Sequence, residues 1–284
     1  MSDGRRLLSV RWLLSVVFLS LLSLSPSSWA GQEAGRPGAA SFDHGYSVWE
    51  SLLRSVVSGD RVNYGALRSD RRLGQFLESV ASVDPESLAG WSRTRQVAFY
   101  INTYNALTFQ TVLDAMPIDS IRDIKPDPFE QRRWTVAGRA MSLNEIEHKK
   151  LRGDMADPRI HFVLVCAARS CPSLSSRAFV ASSLEEQLER AGRNFFTDAT
   201  KNRVDRGTGQ LYLNRLLDWY GSDFVGWSGL VSFGQPTGRE AQEDAVIRAM
   251  ARYVGASDRE FLESGSFTVV YNEYDWSLNG RQSR

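Results

Sequence analysis

The stretch TRQVAFYINTYNALTFQTVLDAM, Thr94–Met116, is apolar around most of its circumference when wound as a helix, and Pro117 stops it. A surface helix shows a single apolar stripe, so this pattern predicts a buried central helix around which the rest must pack. Working outward, Tyr46, Trp49, Leu52, Leu53 and Val56 recur at helical spacing, with Gly59 placed to end that helix. Leu73, Phe76, Leu77 and Val80 predict a second helix. Trp134–Ala137 and Arg139–Met141 flank Gly138 as a short hairpin. Ser142-Leu143-Asn144-Glu145 and Ser183-Leu184-Glu185-Glu186 both read as capping boxes that open helices, the first closed by Gly153.

Ile160–Val165 is a β-branched apolar run and predicts a buried strand. Val204, Gly207-Thr208-Gly209 and Leu211–Leu213 predict a hairpin. Leu216–Tyr220 predicts a short helix, Ala241–Tyr253 a longer one and Phe267–Tyr271 a closing strand. Gly226–Gly238 is Gly-rich and reads as a surface insertion. Helices dominate and strands are scattered. The expectation is an α+β fold: a mainly helical single domain, 42–284, with a small mixed or antiparallel sheet around the buried central helix.

The first thirty residues read differently. Arg5, Arg6 and Arg11 form a basic start, Trp12–Leu24 is an apolar run broken only by serines, and Ser28-Trp29-Ala30 offers small residues at the cleavage positions. The apolar core is about 13 residues where a spanning helix needs roughly 20. The expectation is a cleavable signal peptide over 1–30, cut after Ala30, then a Gly/Ala/Pro-rich lead-in over 31–41. The mature chain would then be periplasmic or secreted, with no stable membrane anchor. Removing the leader moves the formal charge of +1 only to about −1. Such a charge gives no broad attraction for nucleic acid, so the expected partner is a small molecule or peptide.

Few residues are left to carry chemistry. The chain has two cysteines and three histidines, and no Gly-rich phosphate loop, His-Glu-x-x-His pair or Gly-x-Ser-x-Gly elbow. No cofactor or metal is expected. Cys166 and Cys171 flank a turn and admit several readings. In an oxidising compartment they can form a structural disulfide, whose small loop contributes about 2 kcal/mol. Alternatively one is a nucleophile activated by a histidine. A metal site with His148, His161 and a cysteine lacks any familiar ligand spacing, and inert core thiols are the remaining reading.

On an extended strand His161 and Cys166 lie roughly 16 Å apart on opposite faces, which favours His148 as the base. Cys171, beyond the strand, is the more exposed choice of nucleophile. Asn102 and Asn105 share a face of the central helix; they either bridge neighbouring backbone groups or orient a histidine or substrate amide. Glu147 points to a different helical face from His148. Arg169 can bind a carboxylate or phosphate, or be solvated. Asp275 fixes the terminal turn, and His44 is an exposed helix-start residue.

Val62-Asn63-Tyr64, Phe99–Leu107, Ser142–His148, Asp157–Phe162, Cys166–Pro172, Asp218-Trp219-Tyr220 and Tyr274–Asn279, taken together in this order, resemble the domain of unknown function 547 family. The resemblance runs from about Tyr46 to Asn279, with Gly226–Gly238 longer than the family pattern. The family carries no assigned activity, so the resemblance implies no catalytic residue.

Two functional expectations follow. One is a thiol-dependent hydrolase or transferase acting on an amide or thioester, using Cys171 or Cys166 as nucleophile, His148 as base and Asn102 or Asn105 as orienting amide. The other is a non-catalytic binding domain with a Cys166–Cys171 disulfide and a ligand pocket lined by the asparagines, Arg169 and His161.

Overall fold

In the computed structural model, which describes Ser41–Gln282, the chain from Phe42 onward forms one compact unit of mainly helical α+β architecture. The expected signal peptide over 1–30, and the lead-in over 31–41 except its last residue, lie outside the described residues.

The helices are α1 (Ser47–Val56), α2 (Tyr64–Leu67), α3 (Arg71–Ala81), α4 (Pro85–Gly90), α5 (Arg93–Ala115), α6 (Leu184–Thr197), α7 (Leu216–Tyr220), α8 (Ala241–Tyr253) and α9 (Ala256–Ser264). α5 is the expected central helix. Every residue from Val97 to Phe109 is buried, so its polar side chains must find partners inside the protein. Ser92 opens it by accepting the Arg95 N–H. α1 buries Trp49, Leu52, Leu53 and Val56, and the Trp49 ring stacks on Phe76 of α3 at 5.3 Å and meets Phe109 of α5 edge-on at 5.6 Å. No helix among the described residues is long and apolar enough to cross a membrane.

The strands form three small sheets: β1 (Val57–Ser58), β2 (Arg61–Asn63) and β8 (Gly280–Arg281); the hairpin β3 (Trp134–Val136) and β4 (Arg139–Met141); and β5 (Arg203–Asp205), β6 (Gln210–Leu213) and β7 (Thr268–Tyr271). β2 with β8 and β6 with β7 are parallel pairs, and the others are antiparallel.

Four expectations are corrected. Ile160–Val165 is not a strand. Pro158–Phe162 is a 3-10 helix, because Asp157 caps it through the Arg159 N–H and Pro158 presets its first turn. The apolar run stays buried without a sheet because the Asn105 side chain satisfies its backbone, donating to Val163 O at 2.9 Å and accepting from Val165 N at 3.0 Å. Ser183 caps nothing with its side chain; a 3-10 turn, Ala181–Ser183, precedes α6, and Glu186 pairs with Arg190 instead. Gly59 does not end α1 but turns the chain between β1 and β2 at φ +59°. Gly226–Gly238 is more than surface, since Trp227, Leu230, Val231 and Phe233 pack against the core cluster around Phe162, Phe195 and Phe196.

The Ser142 capping box is present, with Glu145 N donating to Ser142 Oγ and Ser142 N to Glu145 Oε2, both at 3.1 Å. The segment it opens is a π-helix, Glu145–Met155, running past Gly153. π-Helical geometry is rare, and its usual form, the single-turn bulge in an α-helix, is frequent at functional sites.

Candidate functional site

Three elements meet at one cavity of about 300 Å³: α5, the π-helix and the Val163–Cys171 segment, closed by α7 and the tail from Tyr274. Glu147, His148, His161, Cys166, Tyr220 and Tyr274 are among its lining residues. A larger cavity of about 690 Å³ runs beside α6 and Ser173–Phe179 but has no histidine or cysteine in its walls. Rare reactive residues therefore converge on the smaller one.

That convergence overturns the strand argument. Once Pro158–Phe162 is helical, His161 and Cys166 no longer alternate across an extended strand, and both line the same cavity. The wide turn of the π-helix likewise brings adjacent Glu147 and His148 to that cavity rather than to separate faces.

The histidines are held in different ways. His161 is buried, stacked on Tyr220 at 4.3 Å, and its Nε2 lies 2.8 Å from Asp223 Oδ2. Asp223 also receives two hydrogen bonds from Arg152, at 2.6 and 2.7 Å. Burial acts to raise the Asp223 carboxyl, but the bonds from Arg152 and His161 outweigh it and hold the group well below the usual carboxylate range. An ionised carboxylate only accepts, so His161 Nε2 must carry the proton. In the neutral ring Nδ1 then keeps the lone pair. His148 is the reverse. Arg152 Nη1 lies 3.0 Å from His148 Nδ1, and a guanidinium only donates. The neutral His148 ring thus has its lone pair engaged and its proton on Nε2. In the neutral rings His161 can therefore accept at Nδ1 and His148 can donate at Nε2, whereas the sequence reading expected His148 as the accepting ring.

Glu147 is buried and accepts a hydrogen bond from Tyr104 at 3.1 Å. Burial, followed by the Glu147 charge, pushes the Tyr104 and Tyr220 phenols up, so both stay protonated donors. Trp219, nearly half exposed, stacks with Trp276 at 6.0 Å and tilts against Tyr274 at 4.9 Å, forming an aromatic shelf at the cavity.

Cys166 and Cys171 are disulfide-bonded. The exposure is opposite to expectation: Cys171 is buried, whereas Cys166 is partly exposed and lines the cavity. The reason lies in the tail. Arg169 N donates to Ser277 O, Ser170 N to Asp275 O and Asn279 N to Ala167 O, so the Cys turn is covered by Asp275–Asn279. Among the described residues no hydrogen bond joins either sulfur to an imidazole; Cys166 Sγ contacts Tyr274 Oη at 3.2 Å.

The asparagines take the bridging role. Asn102 donates to Phe179 O at 2.7 Å and accepts from Phe179 N and the Trp49 indole, while Asn105 holds Val163 and Val165. Arg169 is half exposed at 3.6 Å from Asp275 and does not line the cavity. Asp275 fixes the tail turn through Ser277, as expected. His44 is half-buried, 4.3 Å from the Trp91 ring. Among the described residues no three His, Cys, Asp or Glu side chains are grouped to hold a metal ion. Sequence reasoning missed Asp223 and Arg152, 62 residues after and 9 before His161, which no local spacing links to it.

A family model described as "Protein of unknown function, DUF547" matches residues 88–196, a span that contains α5, the π-helix, His161 and both cysteines. Neither the curated proteins nor the solved structures give a match to the chain.

Proposed function

We propose that the cavity of this chain, whose residues 88–196 match the DUF547 model, is the active site of a thiol-dependent hydrolase or transferase acting on an amide or thioester. The observation that carries this reading is the shared cavity of Cys166 and a His161–Asp223 couple whose remaining ring nitrogen keeps the lone pair of the neutral ring. Cys166, not Cys171, is the nucleophile, and it acts after reduction of the disulfide by a dithiol.

His161 Nδ1 takes the Cys166 thiol proton as Sγ bonds to the substrate carbonyl carbon. The His148 Nε2–H is the donor available to the oxyanion. Collapse breaks the bond to the leaving amine or thiol, which receives the proton from His161, and an acyl group stays on Cys166. Water or an acceptor nucleophile, deprotonated by His161, then releases that acyl group and frees the thiol. The shelf of Trp219, Tyr274 and Trp276 binds the non-reacting part of the substrate. A leader cleaved after Ala30 would deliver the protein to an oxidising compartment in the paired form.

The paired cysteines favour one other reading, a ligand-binding domain without chemistry. One experiment separates the two. Hydrolysis of a panel of small acyl thioesters is followed for the full chain with and without dithiothreitol, and for Cys171→Ser and Cys166→Ser, with folding verified by circular dichroism. Turnover that appears on reduction, persists without reductant in Cys171→Ser and vanishes in Cys166→Ser supports the enzyme. Equal background rates in all four samples overturn it and leave the binding domain.

A further inference from the structure

The two sulfurs of the disulfide sit in unequal surroundings. Cys166 is partly exposed at the cavity wall. Cys171 Sγ is buried and accepts the backbone N–H of Cys166 at 3.2 Å and of Ala168 at 3.3 Å, while the Tyr274 hydroxyl lies between the sulfurs, 3.2 Å from Cys166 Sγ and 3.4 Å from Cys171 Sγ, free to donate to whichever carries charge. Convergent backbone N–H groups form an anion-holding concavity, and Ala167 between these donors has the positive φ of +61° that such a turn uses. Burial pushes the Tyr274 phenol up, so it remains a donor at neutral and mildly alkaline pH.

Thiol–disulfide exchange is fastest when the attacked sulfur is accessible and the departing sulfur is stabilised as a thiolate. Both conditions favour attack at Cys166, which is the accessible sulfur, while the two backbone donors serve Cys171. We propose that Cys166–Cys171 is an exchangeable disulfide, opened at Cys166 by low-molecular-weight thiols that enter the 300 Å³ cavity, with Cys171 leaving as a thiolate held by the Cys166 and Ala168 N–H groups and Tyr274.

The chemistry balances without a further reactant. An external thiolate RS⁻ bonds to Cys166 Sγ, the Cys166–Cys171 bond breaks, and its electron pair stays on Cys171. The mixed disulfide then has two fates. A second RS⁻ attacks the external sulfur, releasing RSSR and leaving Cys166 as a thiolate, so the protein is reduced by two electrons and two thiols are oxidised. Alternatively, the Cys171 thiolate attacks Cys166 Sγ, expels RS⁻ and restores the original bond. The inference shares with the proposed function only the placement of Cys166 at the cavity; it does not require hydrolysis.

The test uses the oxidised full chain. It is treated with 2-mercaptoethanol at neutral pH without denaturant, quenched with acid, alkylated with N-ethylmaleimide and mapped by peptide mass. The expected product has mercaptoethanol on Cys166 and maleimide on Cys171. Tyr274→Phe, folded by circular dichroism, is expected to open about tenfold more slowly, the scale of one lost hydrogen bond to a charged group. An adduct on Cys171, or opening only once denaturant unfolds the chain, overturns the proposal. Adduct formation with no thioester hydrolysis would keep the exchange and remove the hydrolase; hydrolysis by Cys171→Ser with no native exchange would do the reverse.

Discussion

Asp223 accepts the Nε2–H of His161 at 2.8 Å while Arg152 grips both of its oxygens, so a carboxylate from beyond α7 decides which nitrogen of a buried imidazole carries the proton. Asp223→Asn keeps the shape but lets the amide donate to His161, which favours the wrong tautomer. Thioester turnover by the reduced chain is expected to fall by about 10²–10⁴-fold, the usual worth of a positioned general base. Opening of the oxidised disulfide by mercaptoethanol at Cys166, which does not use His161, should be unaffected. A loss smaller than threefold, with the fold intact, would remove His161 from the base role.

The same carboxylate makes stability depend on pH. Its pKa is depressed in the folded chain, so its contribution is present above the ordinary carboxylate value of about 3.9 and is lost as pH falls below it. At neutral pH Asp223→Asn is expected to lower the unfolding free energy by about 2 kcal/mol, between the values for exposed and fully buried pairs. Urea midpoints of the two proteins, measured from pH 7 downward, should converge through the acid range. A gap that stays constant to pH 3 contradicts this, because all other carboxylates are common to both chains.

Local signals in the sequence were read correctly where one segment determines its own structure. The apolar circumference of Thr94–Met116, the Ser142 capping box and the helix Ala241–Tyr253 all rest on neighbours within a few residues. Ile160–Val165 has the composition of a strand, yet its backbone is satisfied by a side chain 58 and 60 residues away, which makes it a buried irregular segment. The site suffered from the same blindness. Cys166 and His148 could be singled out by residue type. That Cys166 and not Cys171 is accessible depends on the tail at Asp275–Asn279, and the tautomer of His161 depends on Asp223; neither contact leaves a periodicity to find.

The Asn105 bridge gives a prediction about that segment. Its carboxamide satisfies Val163 O and Val165 N, both buried. Asn105→Ala leaves both unpaired at about 1–3 kcal/mol each, so a loss of about 2–6 kcal/mol is expected. Because Val163–Val165 leads into Cys166, mercaptoethanol should also reach the disulfide faster in the folded variant. A chemical denaturation curve matching that of the parent would show that water replaces the bridge.

Trp219→Ala tests the shelf. Trp219 is nearly half exposed, so its removal should cost little stability, while its stacking on Trp276 and Tyr274 forms the face a bound substrate would cover. With an aromatic acyl thioester the expected change is a rise in KM of about tenfold with kcat within twofold, the pattern of lost uniform binding. An unchanged KM would place the substrate elsewhere in the cavity.

Gly280 in β8 tests whether the tail holds the site. A Cβ there would lie only 2.1 Å from Val62 O and 2.8 Å from the Tyr64 ring. The nearest obstacle is backbone of the paired strand β2, which cannot swing aside as a flexible side chain would. Gly280→Ala must therefore push β8 off β2, at a cost of about 1–3 kcal/mol, the range for overpacking. The displacement should pass to Asn279, whose side chain accepts from Tyr64 and whose N–H donates to Ala167 beside the cysteines. A lowered melting temperature together with faster opening of the disulfide by mercaptoethanol is expected. A lowered melting temperature with unchanged opening would mean that Tyr274–Ser277 alone hold the cysteine turn, and the tail's last residues serve only the sheet.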